Sequence, residues 1–131
     1  MNVEELREYC ISRDGATESF PFDDVSLVFK VENKMFALLP LDAPELQITV
    51  KCDPEKAIDL RERYAAVTSA WHFNKTYWNT IYLNRDMSDE TVRQWISHSY
   101  DGLDENLVYE IIEKDVPKLR EQIYPLLSIS L

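Results

Sequence analysis

Three runs between Val25 and Cys52 restrict what this chain can fold into more than any other feature. Val25-Ser26-Leu27-Val28-Phe29-Lys30-Val31 alternates, Met35 to Leu41 is nearly continuous and apolar, and Leu46 to Cys52 alternates again. A period of two is the mark of a strand with two different faces. In the third run Leu46, Ile48, Val50 and Cys52 share one face, and Gln47, Thr49 and Lys51 share the other. The joints, Glu32-Asn33-Lys34 and Asp42-Ala43-Pro44-Glu45, are too short to carry a crossover helix. The three strands therefore form an antiparallel meander. Asn33 can supply the positive φ that its turn needs. Trp78 to Leu83 alternates too and reads as a fourth strand.

The apolar face of such a sheet needs a cover, and the flanking segments supply helices. Residues 2–13 start with a capping Asn2 and carry Glu4 and Glu5 in the first turn, with Val3, Leu6, Cys10 and Ile11 together on one side. Gly15 ends or follows this helix. Asp53-Pro54 is a cap followed by a proline at the first helical position, and the helix runs to about Tyr64 with Ala57, Leu60 and Arg61 on its inner side. Ser88 starts a third helix whose stripe is Val92, Trp95, Ile96, Ser99 and Tyr100, stopped by Gly102. Beyond a capping Asp104, helical phase continues through Val108, Ile111, Ile112, Val116, Leu119, Ile123 and Leu126, broken or bent at Pro117. Thr17–Asp24 reads as an irregular crossing, anchored by Phe20 and Phe22, with Asp23 and Asp24 as turn residues. Ala65–Trp71 reads as a loop. The expectation is an α+β fold of one domain over residues 1–131, with a core at about 1–103 and a C-terminal helical extension at 104–131.

Several function classes lose support from composition. A net charge of −10 and a pI near 4.6 repel a polyanion at long range unless the 14 basic residues gather on one face. The balance favours a protein or small-molecule partner. Two glycines cannot build a phosphate-cradling loop, and no GxSxG occurs. His72 and His98 stand far apart with no ligands at metal spacing, so no metal and no cofactor are expected. In Ser97-His98-Ser99 neighbouring side chains diverge on a helix, which leaves His98 as a surface histidine. The reading is a binding protein and not an enzyme. Cys10 and Cys52 sit on apolar periodicities as buried free thiols. No apolar run reaches a membrane span, and the acidic start Met1-Asn2-Val3-Glu4-Glu5 is no secretory signal, so the expected location is cytoplasmic.

The densest chemistry lies in His72-Phe73-Asn74-Lys75-Thr76-Tyr77-Trp78-Asn79-Thr80. Asn74, Asn79 and His72 can pin the loop that precedes the fourth strand. Alternatively Lys75 and His72, beside Tyr77 and Trp78, present a recognition surface open to solvent, suited to phosphate and base stacking or to a protein interface.

Five stretches in this order, Phe20-Pro21-Phe22, Lys34-Met35-Phe36-Ala37-Leu38, Leu46 to Pro54, His72 to Thr80, and Ser99-Tyr100, resemble the MmcQ/YjbR family of small bacterial proteins. The resemblance spans roughly residues 1–103, with K-C-D-P followed by H-x-N-K-x-x-W-N-T as its most specific part. It implies an antiparallel sheet backed by helices, of the double-wing type related to winged-helix DNA binders. It also implies DNA binding without catalytic residues. Under that reading Lys30, Lys34, Lys51 and Lys75 are the phosphate contacts, with His72, Asn74, Trp78 and Asn79 as further ligand or DNA candidates. The alternative is a protein-interaction or small-ligand module working through the groove around His72–Asn79.

Overall fold

The computed structural model describes residues 1–104. In chain order the elements are α1 (Val3–Ile11), β1 (Thr17–Ser19), β2 (Ser26–Val31), β3 (Lys34–Pro40), β4 (Gln47–Lys51), α2 (Pro54–Arg63), β5 (Val67–Ser69), β6 (Trp78–Tyr82) and α3 (Asp89–Asp101). A single 3-10 turn, Gly102–Asp104, follows α3. All strand pairs are antiparallel, in the order β1-β2-β3-β4-β6-β5. This is the α+β meander the spacing implies, widened by two short edge strands. Both edge strands correct the sequence reading. Thr17–Ser19 is part of the sheet and not irregular, and Val67–Ser69 is a strand inside the expected loop. The helical reading beyond Asp104, with Pro117, lies outside the described residues.

The local signals work as physical chemistry requires. Asn2 Oδ1 accepts from the Glu5 N–H and the Glu5 carboxylate accepts from the Asn2 N–H, a reciprocal capping box. Asp53 caps α2 by accepting from Glu55 and Lys56, and Ser88 caps α3 by accepting from Thr91. Glu32 and Asn33, at φ 51° and 68°, make the two-residue turn that matches the twist of β2 and β3. In β3 Phe36 is an extra residue, because Phe29 pairs with Ala37 and Lys30 with Met35. This bulge turns both Phe36 and Ala37 towards the helices.

The main core lies between the sheet and the three helices. Leu6, Cys10, Leu27, Phe29, Ile48, Val50, Ile81 and Ile96 belong to it. The Phe36 ring packs edge-on against Tyr100 of α3 at 5.5 Å. Cys10 and Cys52 are buried there as free thiols, and burial pushes both up to about 12. The opposite face carries a smaller cluster of Val28, Met35, Ala70 and Trp78, with Phe22, Leu38, Phe73 and Tyr77 packed on it. Phe22 anchors the 20–24 crossing as expected, but Phe20 is left 46% exposed.

The α3 helix is stitched to the sheet where β3 and β4 separate. The strands pair at Ala37–Val50 and Leu38–Thr49. One step further the ladder opens, and Ser99 fills it. Its hydroxyl accepts from the Lys51 N–H at 2.9 Å and donates to the Phe36 carbonyl at 2.6 Å. One turn of hydroxyl chemistry thereby satisfies two buried backbone groups. His98 serves the start of α2, its Nε2 accepting from the N–H of the capping Asp53 at 3.2 Å. His98 is thus a partly buried structural acceptor and not a plain surface histidine.

Candidate functional site

Three helices seal one face of the sheet, and among the described residues no helix covers the other. Across the open face a single row of partners runs Ser19, Val28, Leu38, Thr49, Thr80, Thr68, crossing all six strands. Within it Val28 and Leu38 are apolar, and Thr49, Thr80 and Thr68 carry hydroxyls. Thr49 Oγ1 and Thr80 Oγ1 lie 2.9 Å apart and hydrogen-bond each other at its centre. One hydroxyl hydrogen is spent within that pair, so one donor and spare lone pairs remain.

Two segments return over this face and leave a cleft of about 620 Å³ between them. One wall is the 20–24 crossing, with Phe22 and Asp23. The other is the loop that joins β5 to β6, with Trp71, His72 and Phe73. Leu38, Gln47, Thr49, Thr80 and Tyr82 contribute to the floor and far end.

The second wall has a clear local cause. Trp78 is 3% exposed and lies under the loop, and Phe73 stacks on it at 5.1 Å. The loop backbone closes through Ala70 N–H to the Trp78 carbonyl, and through the Tyr77 and Trp78 N–H groups to the Asn74 carbonyl. Asn74 Oδ1 accepts from the Thr76 N–H. His72 adopts a left-handed φ of 74°, which folds its ring against Trp71 at a centroid distance of 3.8 Å. Trp71 is thereby held out, 76% exposed, at the rim of the cleft.

The cleft has a distinct electrostatic character. Its lining includes one carboxylate, Asp23, and one imidazole, His72, with no ammonium or guanidinium. Burial alone would raise the Asp23 carboxyl, but the Val25 and Ser26 N–H groups and the Ser26 hydroxyl bond to it and bring it below the ordinary carboxylate value. It is therefore ionised at neutral pH.

The residues singled out from sequence scatter by role. His72 reaches the cleft wall and Asn74 ties the loop behind it. Trp78 and Asn79 are buried, correcting the expectation that the 72–80 stretch stands open to solvent. The reason for Asn79 is that its amide donates to the Ala57 carbonyl at 3.2 Å and its oxygen accepts from Arg61 at 2.7 Å, fastening α2 to β6. Lys30 and Lys51 are buried as well, at 8% and 3% exposure. Lys51 Nζ donates to the Gly102 carbonyl at 3.0 Å and Lys34 Nζ to the Leu103 carbonyl at 3.2 Å. Both ammonium groups thus neutralise the negative end of α3. Burial lowers the pKa of Lys30. Lys75 is exposed on the loop. Several guanidinium groups face carboxylates: Arg7 with Glu18, Arg63 with Asp59, and Arg85 with Glu45. The four lysines do not converge on the cleft. Sequence reading passed over Trp71, Asp23, Thr49 and Thr80 as site residues. The one available signal was the run of hydroxyl and amide residues on the outward phase of β4 and β6.

Among the described residues no group of three or more His, Cys, Asp and Glu could hold a metal ion, and no helix is long and apolar enough to cross a membrane. The YjbR family model matches residues 11–102. The chain belongs to the YjbR family. It is 31% identical over 100 residues to the uncharacterized protein YjbR of Escherichia coli strain K12, covering 76% of this chain and 85% of that one. It is 28% identical over 106 residues to the uncharacterized protein YbdF of Escherichia coli O157:H7, covering 77% and 80%. Among solved structures, a Deinococcus radiodurans protein with a DUF419 domain superposes with a TM-score of 0.75 at 28% identity, over 86% of each chain. A Pseudomonas syringae protein superposes with a TM-score of 0.68 at 23% identity, over 79% of this chain and 99% of that one, a likeness of fold. The YjbR fold is thus α+β, and the sheet face opposite the three helices, which carries the cleft, lies within the matched region.

Proposed function

We propose that this YjbR-family protein is a non-enzymatic binding module that takes a small ligand in the cleft on the open sheet face. The observation that carries this reading is an exposed Trp71 held at the rim of a cleft of about 620 Å³. Ligand sites have volumes of roughly 300–1,000 Å³ and combine apolar walls with a few placed polar groups. Here Phe22, Leu38 and Phe73 are the apolar walls, and the Thr49–Thr80 hydroxyl pair, Gln47 and Asp23 are the polar groups. His72 takes part as the ring that supports Trp71. The lining hydroxyl that donates to a carboxylate is Ser26, to Asp23 at 3.1 Å, and that carboxylate also accepts from the Val25 and Ser26 N–H groups, an arrangement that supports a turn.

Duplex DNA is the rival occupant that the family resemblance brings in. It needs several phosphates neutralised together. Lys34 and Lys51 are engaged at the end of α3, and Lys30 is buried away from solvent. One domain over residues 1–131 and a cytoplasmic location belong to the same proposal, the latter supported by two free buried thiols. Thermal-shift screening of a fragment library, with mixed-sequence duplex DNA run alongside at low salt, tests the reading. Fragments that stabilise the native protein but not Trp71→Ala are expected. Salt-sensitive stabilisation by duplex DNA, lost in Lys75→Ala and kept in Trp71→Ala, would overturn it.

A further inference from the structure

The cleft's charge and rings restrict its ligand further than its size does. Four aromatic side chains, Phe22, Trp71, Phe73 and Tyr82, line it together with the ionised Asp23. No Lys or Arg is among the lining residues, and the whole chain carries a net charge of −10. An anionic ligand would enter against both the local carboxylate and the long-range field. A neutral ligand would draw nothing from the Asp23 charge. A cation gains from all three: the field, the carboxylate, and the negative faces of Trp71, Phe22 and Phe73, Tyr82 already carrying the Arg85 guanidinium 4.6 Å from its centroid. The Thr49–Thr80 pair on the floor offers acceptor lone pairs to an ammonium N–H or to a hydroxyl carried by the ligand.

We propose that the cleft takes a small, free organic cation, an ammonium or alkylated ammonium seated against Trp71 with Asp23 as its counter-ion. The inference rests on the small-ligand reading of the cleft and adds the sign of the ligand's charge.

The test is calorimetric titration of the full chain at pH 8 with choline and with its uncharged isostere 3,3-dimethylbutan-1-ol, backed by amide and indole NMR shifts. Choline is expected to bind with shifts at Thr49, Thr80 and the Trp71 indole, and the isostere to bind roughly ten- to thirty-fold more weakly. Asp23→Asn keeps an acceptor for the Val25 and Ser26 N–H groups, so the turn persists while the charge goes, and choline affinity should fall. Trp71→Ala should lower it as well, with the far-UV spectrum of both variants unchanged. Equal affinity for choline and the isostere overturns the cation while leaving the cleft as a ligand site. So does the absence of choline binding when neutral or anionic fragments shift Thr49 and Thr80. Choline shifts confined to residues outside the cleft overturn both readings. A trimethyl-lysine peptide that binds more tightly than choline overturns the free molecule as the source of the cation.

Discussion

Ile48 and Thr49 are neighbours in β4, as are Thr80 and Ile81 in β6, yet they belong to two different surfaces. Ile48 pairs with Ile81 under the helices, and both are fully buried in the main core. Thr49 pairs with Thr80 on the other side, where the two hydroxyls bond each other at the floor of a cleft. The pleat alone separates them. One face is closed by three amphipathic helices and supplies the folding energy. Among the described residues the other is covered only in part, by two loops, and the cleft proposed as a ligand site lies between them.

The largest expected effects are at Trp78 and Ile81, both in β6 but on opposite faces. Trp78 is an anchor on the open face, and Trp78→Ala should destabilise the protein by about 3–5 kcal/mol. On the sealed face Ile81→Ala should cost about 2–5 kcal/mol. Urea denaturation at constant m measures both. A Trp78→Ala loss below 1 kcal/mol would mean that the loop is not held by that ring.

The next largest effect is at the junction of the faces. Ser99→Ala removes the hydroxyl that bridges Lys51 N–H and Phe36 carbonyl, leaving both buried. The expected cost is about 1–3 kcal/mol. Hydrogen exchange at the Lys51 amide should accelerate with it, and unchanged protection would show that β3 and β4 close the gap unaided.

A smaller, pH-dependent effect belongs to His98. Burial, then the nearby Lys56, holds its imidazole below the ordinary 6.5. The unfolded chain therefore binds a proton at higher pH than the folded one does. The neutral ring's contribution is complete above about pH 6.5 and declines as pH falls towards the lowered folded value. His98→Ala should cost about 0.5–1.5 kcal/mol at pH 8. Its deficit relative to the parent should shrink at pH 5. A deficit independent of pH would contradict the acceptor role.

Smallest of all is Trp71→Ala, expected to change stability by no more than about 0.5 kcal/mol, since the ring is 76% exposed. It separates the two faces most sharply: nearly silent in a melt, and damaging to ligand capture.

How far the sequence speaks follows from the same division. The helices and the meander were legible because burial on one face leaves a periodic record at Leu46, Ile48 and Val50, and because Asn2, Asp53 and Ser88 are strong caps. The edge strands were not, because Thr17–Ser19 and Val67–Ser69 have three residues each and little apolar alternation. The 72–80 stretch is chemically dense for a reason the sequence cannot rank. Trp78, Phe73 and Asn79 fasten the loop, and their fastening is what exposes Trp71, the residue just before the stretch. The lysines misled in the same way: a cation on the outward phase of a strand reads as solvated, and only the position of the Gly102 and Leu103 carbonyls, in the 3-10 turn after α3, shows that Lys51 and Lys34 are engaged.

The central claim is that the sheet face opposite α1, α2 and α3 is where this protein binds. Amide NMR mapping of the full chain against a fragment mixture tests it most directly. The account predicts that responding signals cluster at Leu38, Gln47, Thr49, Thr80, Tyr82 and the Trp71 indole. Shifts confined to α3 and the exposed Lys75 loop tip, with the Thr49–Thr80 floor unmoved, would contradict it.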